Sequence, residues 1–139
     1  MIIYALGIVE QAGKILFLLR KNTKFFSDHY GLVGGKVEDG ESVATALIRE
    51  LQEEIGITVT RDDMYLAHCI SIKNEHGKDL IALVFKINHW QGKLINCEPE
   101  KQAEIAWFSY DALPENIIPR HRQVLEMVHN NVLYSENGW

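Results

Sequence analysis

Arg49, Glu50, Glu53 and Glu54 stand together in the stretch from Gly35 to Ile57, GKVEDGESVATALIRELQEEIGI. Carboxylates spaced i, i+3 and i+4 fall close together on a helix surface. Like charges so placed repel, and helix stability gives no reason to gather them. A divalent cation does. Mg²⁺ takes oxygen ligands and bridges protein carboxylates to substrate phosphates. The spacing therefore points to a metal-dependent site for a phosphorylated substrate, with Glu50, Glu53 and Glu54 as the metal ligands.

Those side chains need a helix with a buried face. Ser42 follows the turn residues Asp39-Gly40 and is a suitable N-cap. Ala44, Leu47, Ile48, Leu51 and Ile55 recur at helical spacing and form one apolar stripe. Gly56 stands where a left-handed C-cap belongs. At about 100° per residue, Glu50 and Glu54 lie beside the stripe and Glu53 further round. The acidic face is then expected at the margin of the core, facing a cleft.

Around this helix the sequence predicts strands at Ile2–Val9 and Ile15–Leu19, joined as a hairpin through Gln11-Ala12-Gly13-Lys14. A polar loop is expected from Lys21 to Tyr30, and a short strand from Gly31 to Gly35. Met64–Ile72 and Leu80–Ile87 read as strands around the turn Glu75-His76-Gly77-Lys78, and Trp90–Lys93 as a further turn. Asn96–Gln102 reads as an acidic loop, Ile105–Phe108 as a short strand and Pro119–Val132 as a closing helix. Tyr134–Trp139 gives no pattern long enough to assign. These elements predict a mixed sheet with helices on its faces, as an α/β domain spanning residues 1–139.

Composition narrows the function. At 139 residues and 47% hydrophobic, the chain can bury one core. Its net charge of -5 argues against stable nucleic-acid binding, which needs a basic face. Cys69 and Cys97 have neither disulfide-framework nor zinc spacing. The apolar start is broken by Glu10, Gln11 and Lys14, so it predicts no membrane span, and without a basic start or a clear small-residue cleavage site it predicts no signal peptide. A cytoplasmic setting is the expectation. The six histidines show no ligand spacing and are expected in structural or solvent-facing roles.

The helix and its preceding turn resemble the Nudix hydrolase signature GX5EX7REUXEEXGU, where U is a bulky aliphatic. Gly35, Glu41, Arg49, Glu50, Leu51, Glu53, Glu54, Gly56 and Ile57 match every specified position. GLVGGKVEDGE looks like the turn before the box in MutT-type members, with Val33 where many of them carry proline. NCEPEKQAEIAWFSYDALPENIIP resembles the later segment of small nucleotide-hydrolysing members. The resemblance implies a Nudix-type α/β/α sandwich with a mixed sheet, and hydrolysis of a nucleoside diphosphate linked to another group. It implies Mg²⁺ as cofactor, with Mn²⁺ as the alternative, and a homodimer.

The resemblance also assigns roles. It adds the backbone carbonyl of Gly34 to the metal ligands. Arg49 is expected to orient Glu50 through a bidentate contact. Glu41 is expected to brace the loop or the metal ligands, or to be an acidic residue favoured near a helix start. Gly35 serves the turn and, with Asn116 of LPEN, stands among the substrate-binding residues; Asn116 resembles a position that reads a purine edge. Glu50 and Glu53 are candidates for catalysis as well as for metal binding. For the general base, Glu50 competes with a loop carboxylate among Glu98, Glu100 and Glu104, of which Glu100 is favoured. Arg20, Lys21 and Lys24 are left outside the site as exposed cations.

The leading function is cleavage of a (deoxy)nucleoside triphosphate to a monophosphate and pyrophosphate, favoured by the EPEK loop and the length of the chain. A nucleotide-sugar or ADP-ribose pyrophosphatase is the alternative. A non-catalytic nucleotide-binding module comes third, since all the box carboxylates are present.

Overall fold

The computed structural model describes residues 1–139. Eight strands and two helices run in the order β1 (Ile2–Gln11), β2 (Lys14–Arg20), β3 (Tyr30–Gly31), β4 (Val33–Lys36), α1 (Val43–Ile55), β5 (Met64–Ile72), β6 (Leu80–Ile87), β7 (Gln102–Ser109), α2 (Pro119–His129) and β8 (Tyr134–Asn137). The sheet order is β3-β2-β1-β6-β5-β8, with β4 added on β1 and β7 on β2. β1 pairs parallel with β6 and antiparallel with β4, so the sheet is mixed.

Both faces of this sheet are covered, which explains why IIYALGIV and ILFLL are almost continuously apolar. Side chains alternate between the faces. Ala5, Val9, Leu16 and Leu18 pack with Leu47, Leu51 and Ile55 of α1. Leu6, Ile8, Ile15 and Phe17 pack on the other face with Val124 and Leu125 of α2. The result is the expected α/β/α sandwich.

The hairpin turns through Ala12 and Gly13, both at positive φ (51° and 75°), as a two-residue loop requires. Only Glu10↔Ile15 and Gln11↔Lys14 pair. Beyond them the strands part: β1 goes to β4 and β6, while β2 goes to β7 and β3. The cleft opens from this divergence.

The single strand expected over Gly31–Gly35 is two strands. Tyr30–Gly31 pairs with β2, and Val33–Lys36 pairs with β1. Leu32 makes the crossing, and its N–H is taken by Nδ1 of His121 on α2 (2.9 Å). Burial, with Arg20 and Arg120 nearby, lowers the His121 pKa to about 4, which keeps that nitrogen a free acceptor at neutral pH.

Other boundaries also shift. β7 begins at Gln102, three residues before the expected strand, because Gln102 pairs with Arg20 across a β-bulge. α2 stops at His129 rather than Val132: Asn131 turns to φ 57°, and the carbonyl of Val132 goes to the buried His68 Nδ1 (2.7 Å). The unassigned tail forms β8, parallel to β5. A four-residue edge strand carries too little pattern to be read alone.

Candidate metal and phosphate site

Ser42 caps α1 by accepting from the Thr45 N–H (3.1 Å), and Gly56 closes it at φ 71°. Leu47, Leu51 and Ile55 are fully buried, which fixes the helix's rotation about its axis. The acidic side chains then face a cavity of about 540 Å³ between α1, the end of β2 and the loop before β7. Gly34, Arg49, Glu50, Glu53 and Glu54 all line it.

Burial grades the three carboxylates. Glu53 is exposed, while Glu50 is half-buried behind it. Glu54 lies deepest; its Oε1 accepts from the Gly34 N–H (2.9 Å). Burial pushes the Glu54 pKa up to about 8, reinforced by repulsion from Glu50 and Glu98 and opposed by the Gly34 hydrogen bond and by Arg20. Burial also raises Glu50, against the pull of Arg49.

Because the folded-state pKa of Glu54 lies above its ordinary value, the native state holds the extra proton more tightly than the unfolded chain. The associated stability is greatest in acid and is lost as pH rises toward 8. Without divalent cations, the melting temperature is therefore expected to fall between pH 5 and pH 8.5. Glu54→Gln should flatten that slope, as differential scanning fluorimetry across pH would show.

Arg49 organises the rim. Its Nε and Nη2 grip Glu41 (3.1 and 2.6 Å), and Nη1 donates to Glu50 (3.0 Å) and Glu53 (3.3 Å). The two-pronged contact expected for Glu50 is thus made to Glu41, and Glu50 receives one bond. The reason is reach: Glu41, in the loop before the helix, presents both oxygens to the guanidinium edge, whereas Glu50 turns its carboxylate toward Gly35. The Arg49 guanidinium and the Glu38 N–H (2.8 Å) hold the Glu41 carboxyl below its ordinary range. Arg49 Nη2 also reaches the Lys36 carbonyl (3.2 Å), so one side chain ties the loop to the helix. Arg49→Lys keeps the charge but loses the fork. It is expected to lower the melting temperature by several degrees and kcat by about tenfold, the equivalent of 1.36 kcal/mol.

The glycines fit closely against this rim. A Cβ on Gly35 would lie 2.6 Å from Glu50 Cδ. Gly34 stands at φ 143°, and a Cβ there would meet the Ala5 carbonyl and come within 2.9 Å of Leu6 Cα. Gly35 therefore makes room for the Glu50 carboxylate.

Glu98 also lines the cavity. Its loop is strapped to the end of α1: the Ile95 N–H donates to the Ile55 carbonyl (3.0 Å) and the Cys97 N–H to the Glu54 carbonyl (3.1 Å). The buried Gln102 adds Nε2 bonds to the Glu54 carbonyl (3.3 Å) and to Asn96 Oδ1 (2.9 Å). Glu100 is exposed and outside the lining, and only its backbone carbonyl is engaged, by Asn22 Nδ2 (3.3 Å). Asn116 is likewise exposed and outside the lining; its Nδ2 donates to the Asp28 carbonyl (2.9 Å). Sequence reasoning set aside Arg20 and Lys24 and missed Lys101 and Gln102, yet all four line the cavity. For Arg20 and Lys24 the one local signal is the run RKNTK directly after the predicted strand, which cannot show which way the chain turns.

The donors suit a hard divalent cation: carboxylate oxygens gathered at one cavity, with Glu54 set deepest and carrying little compensating charge. No three acidic side chains form a closed ligand cluster as they stand. Glu50 and Glu53 are held by Arg49, and Glu54 by Gly34.

The family model described as NUDIX domain matches residues 2–128. This chain belongs to the NUDIX family. An 8-oxo-dGTP diphosphatase of Haemophilus influenzae is 30% identical over 131 residues, covering 91% of the NUDIX chain and 93% of that protein. An ADP-ribose pyrophosphatase of Methanocaldococcus jannaschii is 33% identical over 109 residues, covering 78% of this chain and 62% of its own length. A NAD-capped RNA hydrolase NudC of Pseudomonas aeruginosa is 31% identical over 121 residues, with 87% of this chain but 41% of that protein covered. The NUDIX chain thus spans less than two thirds of the length of these last two relatives. The crystal structure of a MutT NUDIX hydrolase from Burkholderia pseudomallei superposes with a TM-score of 0.81 at 28% identity, over 90% of this chain and 95% of that one. No helix is long and apolar enough to cross a membrane.

Proposed function

We propose that this NUDIX domain hydrolyses the pyrophosphate bond of a nucleoside diphosphate linked to a further group. One observation carries this reading: Glu50, Glu53, Glu54 and Glu98 share a cavity wall on which the deepest carboxylate is pushed up to about 8 by burial. Such a wall is complete only with cations, and divalent cations on carboxylates are what a diphosphate needs to approach. Relatives named 8-oxo-dGTP diphosphatase and ADP-ribose pyrophosphatase support the same chemistry.

Glu50, Glu53, Glu54 and the Gly34 carbonyl would hold the ion, with Mg²⁺ or Mn²⁺ suited to such oxygen donors. When bound, it supplies charge neutralisation for the phosphates and a lowered pKa for water. The chain's own part is positioning. Arg49 and Glu41 hold the rim, Gly35 leaves space for Glu50, and Gln102 fixes the loop that brings Glu98 to the cavity. Of the loop carboxylates, Glu98 alone lines the cavity, which supports it as the group that takes a proton from water. In the reaction, the oxygen of water bonds to one phosphorus. The bridging P–O bond breaks at that phosphorus, the bridging oxygen leaves with its electron pair, and a proton passes to base and solvent.

The test is a panel of nucleoside triphosphates, ADP-ribose and nucleotide sugars with Mg²⁺ or Mn²⁺, with products separated by ion-exchange chromatography. Turnover of at least one substrate, lost on chelation by EDTA, is expected. Absence of turnover across the panel rejects the reading. Glu98→Gln should lower kcat more than Glu100→Gln; the reverse order would return the base role to Glu100.

A further inference from the structure

The cavity that holds the glutamates is also lined by Arg20, Lys24 and Lys101. We infer that these three cations form a subsite for the terminal phosphates of a nucleoside triphosphate, making that class the substrate in preference to ADP-ribose or nucleotide sugars. The inference rests on the pyrophosphohydrolase reading above and goes beyond it by assigning what lies past the scissile bridge.

The three cations are under-used within the protein. Arg20 donates through Nη2 to the Phe25 carbonyl (3.2 Å), while its buried Nε has no acceptor at all. A buried donor left unpaired is unfavourable, so the position favours an acceptor that the chain itself does not supply. Lys24 lies 5.4 Å from the centre of the exposed Phe25 ring. Neither Arg20 nor Lys24 has a carboxylate within ion-pair distance. Lys101 has only Glu98, at 3.9 Å.

They are also held together. The Lys21 N–H donates to the Lys101 carbonyl (2.9 Å) and Asn22 Nδ2 to the Glu100 carbonyl (3.3 Å). These bonds stitch the loop after β2 to the loop before β7. Two segments about eighty residues apart in sequence thereby present one cationic surface, in a chain whose net charge is -5.

Substrate chemistry decides what such a surface is for. Triphosphates and nucleotide sugars share a diphosphate and differ in the group beyond it. In a triphosphate the chain continues as an anion, and phosphate oxygens satisfy guanidinium and ammonium donors. In ADP-ribose or a nucleotide sugar it continues as a neutral polyol, which calls for paired donors and acceptors rather than clustered cations. A cavity lined both by carboxylates that can hold cations and by cationic side chains suits a substrate that is anionic along its length.

The test uses the full chain with Mg²⁺ and compares kcat/KM for ATP, GTP, CTP and UTP and their deoxy forms with ADP-ribose and UDP-glucose. At least one triphosphate is expected to exceed ADP-ribose and UDP-glucose by tenfold or more, about 1.4 kcal/mol. In the double variant Lys24→Gln/Lys101→Gln, the triphosphate to ADP-ribose ratio should fall at least about tenfold. KM for the triphosphate and the inhibition constant of pyrophosphate should rise together, and Lys24→Arg/Lys101→Arg should restore both. A wild-type preference for ADP-ribose or UDP-glucose overturns the inference while leaving the pyrophosphohydrolase reading intact. An unchanged ratio in the glutamine variant also overturns it. No turnover on any substrate removes the underlying reading and the inference with it.

Discussion

Glu53→Gln is expected to lower kcat by at least about 100-fold at saturating Mg²⁺ while leaving the fold as stable as before. A metal ion contributes several kcal/mol of transition-state stabilisation, and each 1.36 kcal/mol is a factor of ten. Glu53 is exposed and its one ion pair is with Arg49, at 3.3 Å, whose loss costs the fold little. Glu54→Gln is expected to lower kcat as much, with the opposite signature in stability. It removes a carboxylate that burial pushes up to about 8, so metal-free protein at pH 8 should melt at a higher temperature than the parent. Steady-state kinetics paired with thermal melts, each with and without Mg²⁺, separates the two. Full hydrolysis by either variant would remove the residue it replaces from the metal site.

Adjacent glycines are expected to fail in different ways. Gly34→Ala places a methyl group against backbone, at the Ala5 carbonyl and 2.9 Å from Leu6 Cα, in a φ of 143° that side chains rarely adopt. Backbone in the centre of a sheet cannot yield, and little soluble folded protein is expected on expression. Gly35→Ala places its methyl against the Glu50 carboxylate, the mobile end of a side chain. The fold should survive with a loss of about 1–3 kcal/mol. Glu50 is displaced from its bond to Arg49, and kcat should fall at least about tenfold, near 1.4 kcal/mol. If Gly35→Ala were as active as the parent, Glu50 would not act from the position described.

The legibility of this protein in its sequence was uneven for physical reasons. α1 could be read in detail because its signals are local: Ser42 as cap, Gly56 as stop, and an apolar stripe at helical spacing. The strands of the central sheet were legible because burial on both faces makes them continuously apolar. The division of Gly31–Gly35 between β3 and β4 was not, since the decisive contact is a hydrogen bond from Leu32 to His121, eighty-nine residues away. β8 was missed because its place depends on the edge of β5 and on the buried His68.

The site divides in the same way. Residue spacing by itself placed Arg49, Glu50, Glu53 and Glu54 on one helical face, because a helix repeats every few residues whatever surrounds it. Tertiary structure alone decided which carboxylate lies deepest, that Arg49 grips Glu41 with its fork, and that Glu98 rather than Glu100 reaches the cavity. It alone brought Arg20, Lys24 and Lys101 into the lining of the same cavity. Those outcomes depend on how two loops close across a sheet, and loop closure is set by long-range contacts that no local pattern encodes.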